Sequence, residues 1–255
     1  MRTIVALSGG KASAWCADWA LRHYPKDNVI LYFNDTKWEH PDLYRFLDDL
    51  EKHFEHPITR DSDGRSVEGV AYAEHAIPND RMPFCSRILK AKRLQAFYQT
   101  SDQLVFGIGL QERHRSARLL QVYNGVDDKL GKCSTLRFPL IEESIQTKQI
   151  DQFLVDAGIE EPKLYQMGFT HNNCSGGCVR GSKRQWIHLL EVLPEVYTER
   201  ERFEREFRER FNKDVSILKN TTLEELRIQH RLQIPLDFSN DIDVTDCIGI
   251  CDMMA

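Results

Sequence analysis

The sequence predicts an α/β fold: a parallel sheet with helices on both faces, followed by a helical, cysteine-bearing C-terminal region. Short β-branched apolar runs alternate with segments of helical period through the first 140 residues. A glycine pair separates the first apolar run from the first helical segment, and from Gln149 onward the texture changes to helices and loops. Parallel strands need long crossovers, and the intervening helices supply them.

The elements follow in order. Thr3 to Leu7 is a β-branched apolar strand, and Ala12 to His23, rich in Ala, Trp and Leu, is the first helix. Asn28 to Phe33 reads as a second buried strand. Pro41 to Phe54 is a helix opened by proline, with Leu43, Phe46, Leu47 and Leu50 on one face. A weaker strand near Pro57 to Thr59 precedes helices at Ser66 to His75 and Ser86 to Tyr98. Gln103 to Gly107 is a further strand, and Arg137 to Ile141 is expected to be the last. Beyond it, Ser182 to Leu193 and Tyr197 to Phe211 are helical. Phe203, Phe207 and Phe211 form a core stripe on the second of these, and its alternating Glu and Arg read as a solvated, self-paired face. The expected division is an α/β domain at 1–145 and a helical region with a cysteine-bearing loop and tail at 146–255.

Composition excludes several classes. With 255 residues, 41% hydrophobic and 29% charged, the chain has room for a full core and is neither a disulfide knot nor a disordered chain. No stretch approaches the roughly 20 apolar residues of a membrane span, and Met1 to Leu7 lacks a secretory h-region, so the expected location is the cytoplasm. Thirty-four Lys and Arg against 39 Asp and Glu give a net charge of -5, which leaves nucleic acid only a local basic groove.

Ser8-Gly9-Gly10-Lys11-Ala12-Ser13 lies between the first strand and the first helix. There, backbone N–H groups and a helix N-terminus hold phosphate oxygens, glycines let the backbone come close, and Lys11, Ser8 and Ser13 add a charge and hydroxyls. The bland alternative is a tight turn. The spacing is neither a Walker A loop nor a dinucleotide fingerprint. Asp35 and Thr36, at the end of the second strand, are placed either to cap a turn or to meet a ligand.

Seven cysteines stand at Cys16, Cys85, Cys133, Cys174, Cys178, Cys247 and Cys251. In a reducing compartment they read as thiol or metal chemistry. Cys16 and Cys133 are expected to be buried small hydrophobes. Cys174-Ser-Gly-Gly-Cys178 puts two thiols on a glycine-bearing turn, suited to an iron-sulfur cluster, to zinc, or to redox chemistry.

The loop Ser8 to Ser13 resembles the S-G-G-x-x-S loop of the PP-loop superfamily, which implies a Rossmann-like fold of the HUP type. Asn34 to Asp42 is similar to the D-T-x-x-E-x-P segment of the phosphoadenosine phosphosulfate (PAPS) reductase family. Cys85 to Lys90 resembles that family's C-x-x-x-x-K segment. Gly107 to Arg118 is similar to its G-x-R-x-x-E-x-x-x-R stretch, although Gly109 stands where the arginine would be, leaving Arg113, Arg115 and Arg118 to compensate. Leu164 to Cys178 is similar to its cysteine-bearing return loop, and Asp246 to Cys251 to its E-C-G-I-H tail, with Ile248 interposed and a second cysteine near the histidine position.

The resemblance implies an enzyme that binds an adenine nucleotide, ATP with Mg2+, through Ser8, Gly9, Gly10, Lys11, Ser13, Asp35, Thr36, Arg87, Lys90 and Gly107. It makes Cys85 the third ligand beside Cys174 and Cys178 of a 4Fe-4S cluster, with zinc as the alternative, and gives catalytic roles to Lys11, Asp35, Cys247 and Cys251. The expected activity is ATP-dependent sulfur transfer: an acceptor, nucleic acid among the options, is adenylated and sulfur then replaces AMP, with a cysteine desulfurase as sulfur source. A sulfonucleotide reductase using a tail cysteine and thioredoxin is the alternative. A non-catalytic ATP-binding subunit is the reading from another class.

Overall fold

The computed structural model describes residues 1–123 and 135–238. Five parallel strands form one sheet in the order β3-β2-β1-β4-β5. β1 (Thr3–Leu7) pairs with β2 (Val29–Asp35) on one side, and α1 (Lys11–His23) makes the crossover. α2 (Pro41–Phe54) leads to the edge strand β3 (Ile58–Ser62), which shows Thr59 and Arg60 to solvent. That exposure is why its apolar signal in the sequence is weak. After α3 (Val67–Glu74), a continuous helical stretch comprises α4 (Phe84–Ser86), a π-helical turn Arg87–Ala91 and α5 (Lys92–Phe97).

β4 (Gln103–Phe106) pairs with β1 on the side opposite β2. The chain therefore reverses its winding between β1 and β4, and a crevice at such a switch point is where open α/β sheets take ligands. α6 (Arg113–Tyr123), unassigned in the sequence, precedes β5 (Thr135–Arg137). The last strand is thus earlier than expected. It ends at Arg137, and Pro139 opens a helical turn, α7 (Pro139–Glu142), because proline suits a first helical position and has no N–H for a ladder. α8 (Thr147–Asp156), α9 (Lys163–Gln166), α10 (Lys183–Val192), α11 (Pro194–Phe211) and α12 (Leu223–Arg231) complete the described chain. No helix among the described residues is long and apolar enough to cross a membrane.

Alternation along the strands divides the core. Val5, Leu31, Phe33 and Val105 pack under α1, α2 and α8, with Trp15, Phe46, Leu47, Ile150 and Leu154. Ile4, Tyr32, Leu104 and Phe106 face the other way, against Leu94, Leu119 and Phe138. A third core, beyond the strand ends, joins Trp38, Val67 and Leu89 to Trp186, Tyr197 and Leu226 of the C-terminal helices. Phe203 and Phe207 are buried as expected, with Phe211 half-buried. The expected solvated face of α11 needs correction: Arg200, Glu201 and Glu204 are buried, and Glu201 accepts two hydrogen bonds from Arg227 of α12 at 2.7 and 2.9 Å. A second helix covers what a single-helix reading leaves to water.

Candidate functional site

The loop after β1 is organised by its own hydroxyls. Ser13 Oγ accepts from Ser8 N at 3.1 Å and donates to Gly10 O at 2.9 Å, while Ser8 Oγ accepts from Gly10 N at 3.3 Å. Both hydroxyls therefore shape the turn. Gly9 has φ +81°, and a Cβ there would stand 2.6 Å from Leu43 Cδ1. A Cβ at Gly107 would stand 2.9 Å from the backbone N and Cα of Ser13, so the glycine that follows β4 lets the chain pass directly against the start of α1. No side chain caps the N-terminus of α1, whose first amides and dipole face the loop.

Lys11 turns away from that loop. Its Nζ donates to Asp151 of α8 at 2.7 Å and to Glu161 at 3.0 Å, and lies 4.5 Å from the centre of the Tyr165 ring. Burial opposes its charge, but the two carboxylates outweigh it and hold the ammonium above its usual range.

Asp35 ends β2 and is buried. It accepts from Lys37 N, Lys37 Nζ and Tyr44 Oη at 2.8, 2.8 and 2.9 Å. Burial disfavours its charge, yet these donors hold its carboxyl below the usual range. Thr36 Oγ1 donates to Glu39 Oε1 at 2.8 Å. Asp42, at the start of α2, accepts from Arg45 and, at 2.8 Å, from Lys163 N, tying this turn to the return loop.

Cys85, Cys174 and Cys178 line one small cavity, together with Thr36, Trp38 and Lys90. Lys90 is buried on the π-helical turn, a distortion frequent at functional sites, while Arg87 on the same turn is exposed. The return loop is strained: Cys174 and Ser175 have φ +50° and +52°, followed by Gly176 at +83°. Cys174 N donates to Glu39 Oε2 at 2.7 Å, and Ser175 Oγ donates to Trp38 O at 3.0 Å. Glu39, its side chain fully buried, thus receives Thr36 and Cys174 and faces Lys90 Nζ at 3.8 Å. Its hydrogen bond with Cys178, its burial and the nearby Glu39 together push the Cys174 thiol well above the usual range. Arg200 lies with its guanidinium carbon 3.7 Å from the Trp38 ring centre.

The donor chemistry fits a thiolate-held iron-sulfur cluster, with a buried lysine to offset the charge. Among the described residues, however, no group of three or more His, Cys, Asp or Glu side chains stands close enough to hold a metal ion. The three thiols share a cavity without forming a ligand shell. Cys16 is buried at 0% exposure, and burial pushes its thiol far up, consistent with the packing role expected of it. Cys133, Cys247 and Cys251 lie outside the described residues. Of the basic residues after β4, Arg115 is buried and paired with Glu112 at 2.6 Å, and Arg113 is exposed.

The glycine loop after β1 and the cysteine cavity are joined by residues absent from the expected site. Asn172 Nδ2 donates to Gly9 O at 2.8 Å, and two residues later Cys174 N meets Glu39. Glu39 stands in the D-T-x-x-E segment and the asparagine pair directly precedes Cys174, so both had a signal; Arg200, on a helix of alternating charges, had none.

A family model described as "Phosphoadenosine phosphosulfate reductase domain" matches residues 2–180. No curated protein and no solved structure matches the chain. The matched residues include all five strands and the cysteine loop, and leave α10, α11 and α12 beyond them.

Proposed function

Since the chain belongs to the phosphoadenosine phosphosulfate reductase domain family, we propose that it performs sulfur chemistry on an adenine nucleotide, as an ATP-dependent sulfurtransferase of PP-loop type. The observation that carries this reading is the physical link between the phosphate loop and the three-thiol cavity, through Asn172 to Gly9 and Cys174 to Glu39. A phosphate leaving group and a sulfur source are then held on adjoining segments.

In this reading the amides of residues 8–13 and the α1 dipole bind the β- and γ-phosphates of ATP with their Mg2+. Lys11 leaves Asp151 and Glu161 to join them. An acceptor oxygen attacks the α-phosphorus, the bond to the β-phosphate oxygen breaks, and pyrophosphate carries away the negative charge that the loop stabilises. Hydrosulfide then forms a bond to the acceptor atom as that atom's bond to the adenylate oxygen breaks; AMP departs with the electron pair and the sulfhydryl proton passes to solvent. Asp35 braces the turn through Lys37 and Tyr44, so that Thr36 and Glu39 stay in place. Drawn closer than they stand here, Cys85, Cys174 and Cys178 would hold a 4Fe-4S cluster, which supplies a soft sulfur site when bound, or zinc, which would leave the sulfur to a thiol. A cysteine desulfurase is the expected sulfur donor, with a thiol reductant that releases its persulfide sulfur as hydrosulfide while being oxidised to a disulfide, and the acceptor is either small or a nucleic acid met through a local basic groove.

The test is iron and acid-labile sulfide after anaerobic purification, followed by ATP-dependent release of AMP and pyrophosphate, for the wild type and Cys174→Ser. About four of each per chain, lost in the variant, with pyrophosphate release, is the expected result. Absence of iron together with thioredoxin-dependent reduction of a sulfonucleotide would overturn it in favour of the reductase with a Cys247 or Cys251 nucleophile. Nucleotide binding with neither reaction would leave a non-catalytic subunit.

A further inference from the structure

Asn173 lies between the two anchors just described. It is 3% exposed, and neither its side-chain nitrogen nor its side-chain oxygen has a hydrogen-bond partner among the described residues. Buried amides are almost always paired, because removing such a group from water without a partner is costly. The backbone of Asn173 is ordinary: extended, with its carbonyl accepting from Gly176 N at 3.0 Å. Only the carboxamide is orphaned. Its preceding neighbour, Asn172, is fixed to Gly9 in the phosphate loop, and its following neighbour, Cys174, to Glu39 beside the thiols.

We infer that the Asn173 carboxamide is a binding group for the ribose and α-phosphate of the nucleotide. This rests on the function proposed above. If the loop takes the outer phosphates and the thiols lie at the opposite end, the portion of ATP between them is the α-phosphate with its ribose. That portion presents what an asparagine lacks here: phosphoryl oxygens to accept from Nδ2 and hydroxyls to donate to Oδ1. Among the described residues nothing else meets these two groups, and leaving them unpaired is a stability cost that binding removes.

This gives a signature that a structural asparagine would not have. In full-length Asn173→Leu, an apolar side chain of similar size replaces the orphaned amide. Without nucleotide the variant should melt a few degrees higher than the wild type, while its Kd for ATP with Mg2+ rises about tenfold or more and its Kd for pyrophosphate stays unchanged. Asn173→Ala, which adds no volume, should show the same split between ATP and pyrophosphate. Unchanged ATP binding in both variants would overturn the inference and leave the proposed function standing. An equal loss of pyrophosphate binding would also overturn it, by showing that the substitutions distort the Gly9 loop. A lower melting point for both variants would mean that the amide is satisfied in the free protein, and would overturn it as well. Wild-type protein that binds no ATP would remove the proposed function and this inference together.

Discussion

Glu39 is the residue on which the two halves of the site depend. Its fully buried side chain accepts from Thr36 and from Cys174 N and faces Lys90, so one carboxylate ties the turn after β2, the return loop and the π-helical turn. Glu39→Ala would remove the carboxylate that the buried Lys90 ammonium and the Cys174 amide both meet, and removing one member of a buried ion pair costs about 3–5 kcal/mol. Denaturant unfolding should show a loss of that size, together with altered reactivity of Cys174 toward thiol reagents. A loss below about 1 kcal/mol would mean that the return loop holds itself without Glu39. Lys11 teaches the complementary point: a lysine in a phosphate-loop sequence has a reach of several ångströms, and in the free protein it answers to the nearest carboxylates, Asp151 and Glu161.

At the scale of elements, α11 acts as the spine of the C-terminal region. Its Glu204 is 2% exposed and accepts from Ile217 N and from Leu223 N, at the start of α12, at 2.7 Å each. Burial raises its carboxyl to about 7, against the pull of the two amides. Because the folded state binds this proton more tightly than the unfolded chain does, the contribution to stability is fully present below about pH 4.5 and is lost as pH rises through 7. A shift of this extent corresponds to something on the order of 3 kcal/mol. Urea midpoints for the wild type and Glu204→Gln, measured from pH 4.5 to 8, should lie closest at the acid end and separate toward pH 8, where the wild type falls below the variant. Parallel profiles would show that Glu204 does not titrate in this window. The strand that the sequence misplaced belongs at this scale too. Leu140 and Ile141 have strand-like character, but Pro139 removes the N–H that a ladder needs and commits the segment to a helical turn.

For the whole molecule, the apolar core does not stop at residue 145. Ile150, Leu154 and Ile159 pack into the same cluster as Val5, Trp15 and Phe46, and the acids that hold Lys11 come from 151 and 161. A fragment of residues 1–145 should therefore show no cooperative thermal transition by circular dichroism, whereas the full chain should melt in one; a sharp transition in the fragment would show that the sheet closes its core unaided. The same continuity places the cysteine cavity between the sheet and the C-terminal helices, since Trp38 packs with Trp186 and Phe203.

By itself the sequence determined the alternation of strands and helices, the glycine loop after β1, and the pairing of Cys174 with Cys178, because periodicity, glycine geometry and cysteine spacing are written locally, whereas Cys85 joined them only through the family resemblance. α2 has the predicted ends, since its opening proline and its apolar face are contained within its own residues. Only the tertiary structure decided which way Lys11 turns, that Glu39 receives Cys174, that α12 covers the charged face of α11, and that the Asn173 side chain is buried with no partner among the described residues. Each of these depends on groups from segments far apart in the chain meeting in a space from which water has been excluded. There, a polar group's partner is chosen by the packing of whole elements rather than by its neighbours in sequence.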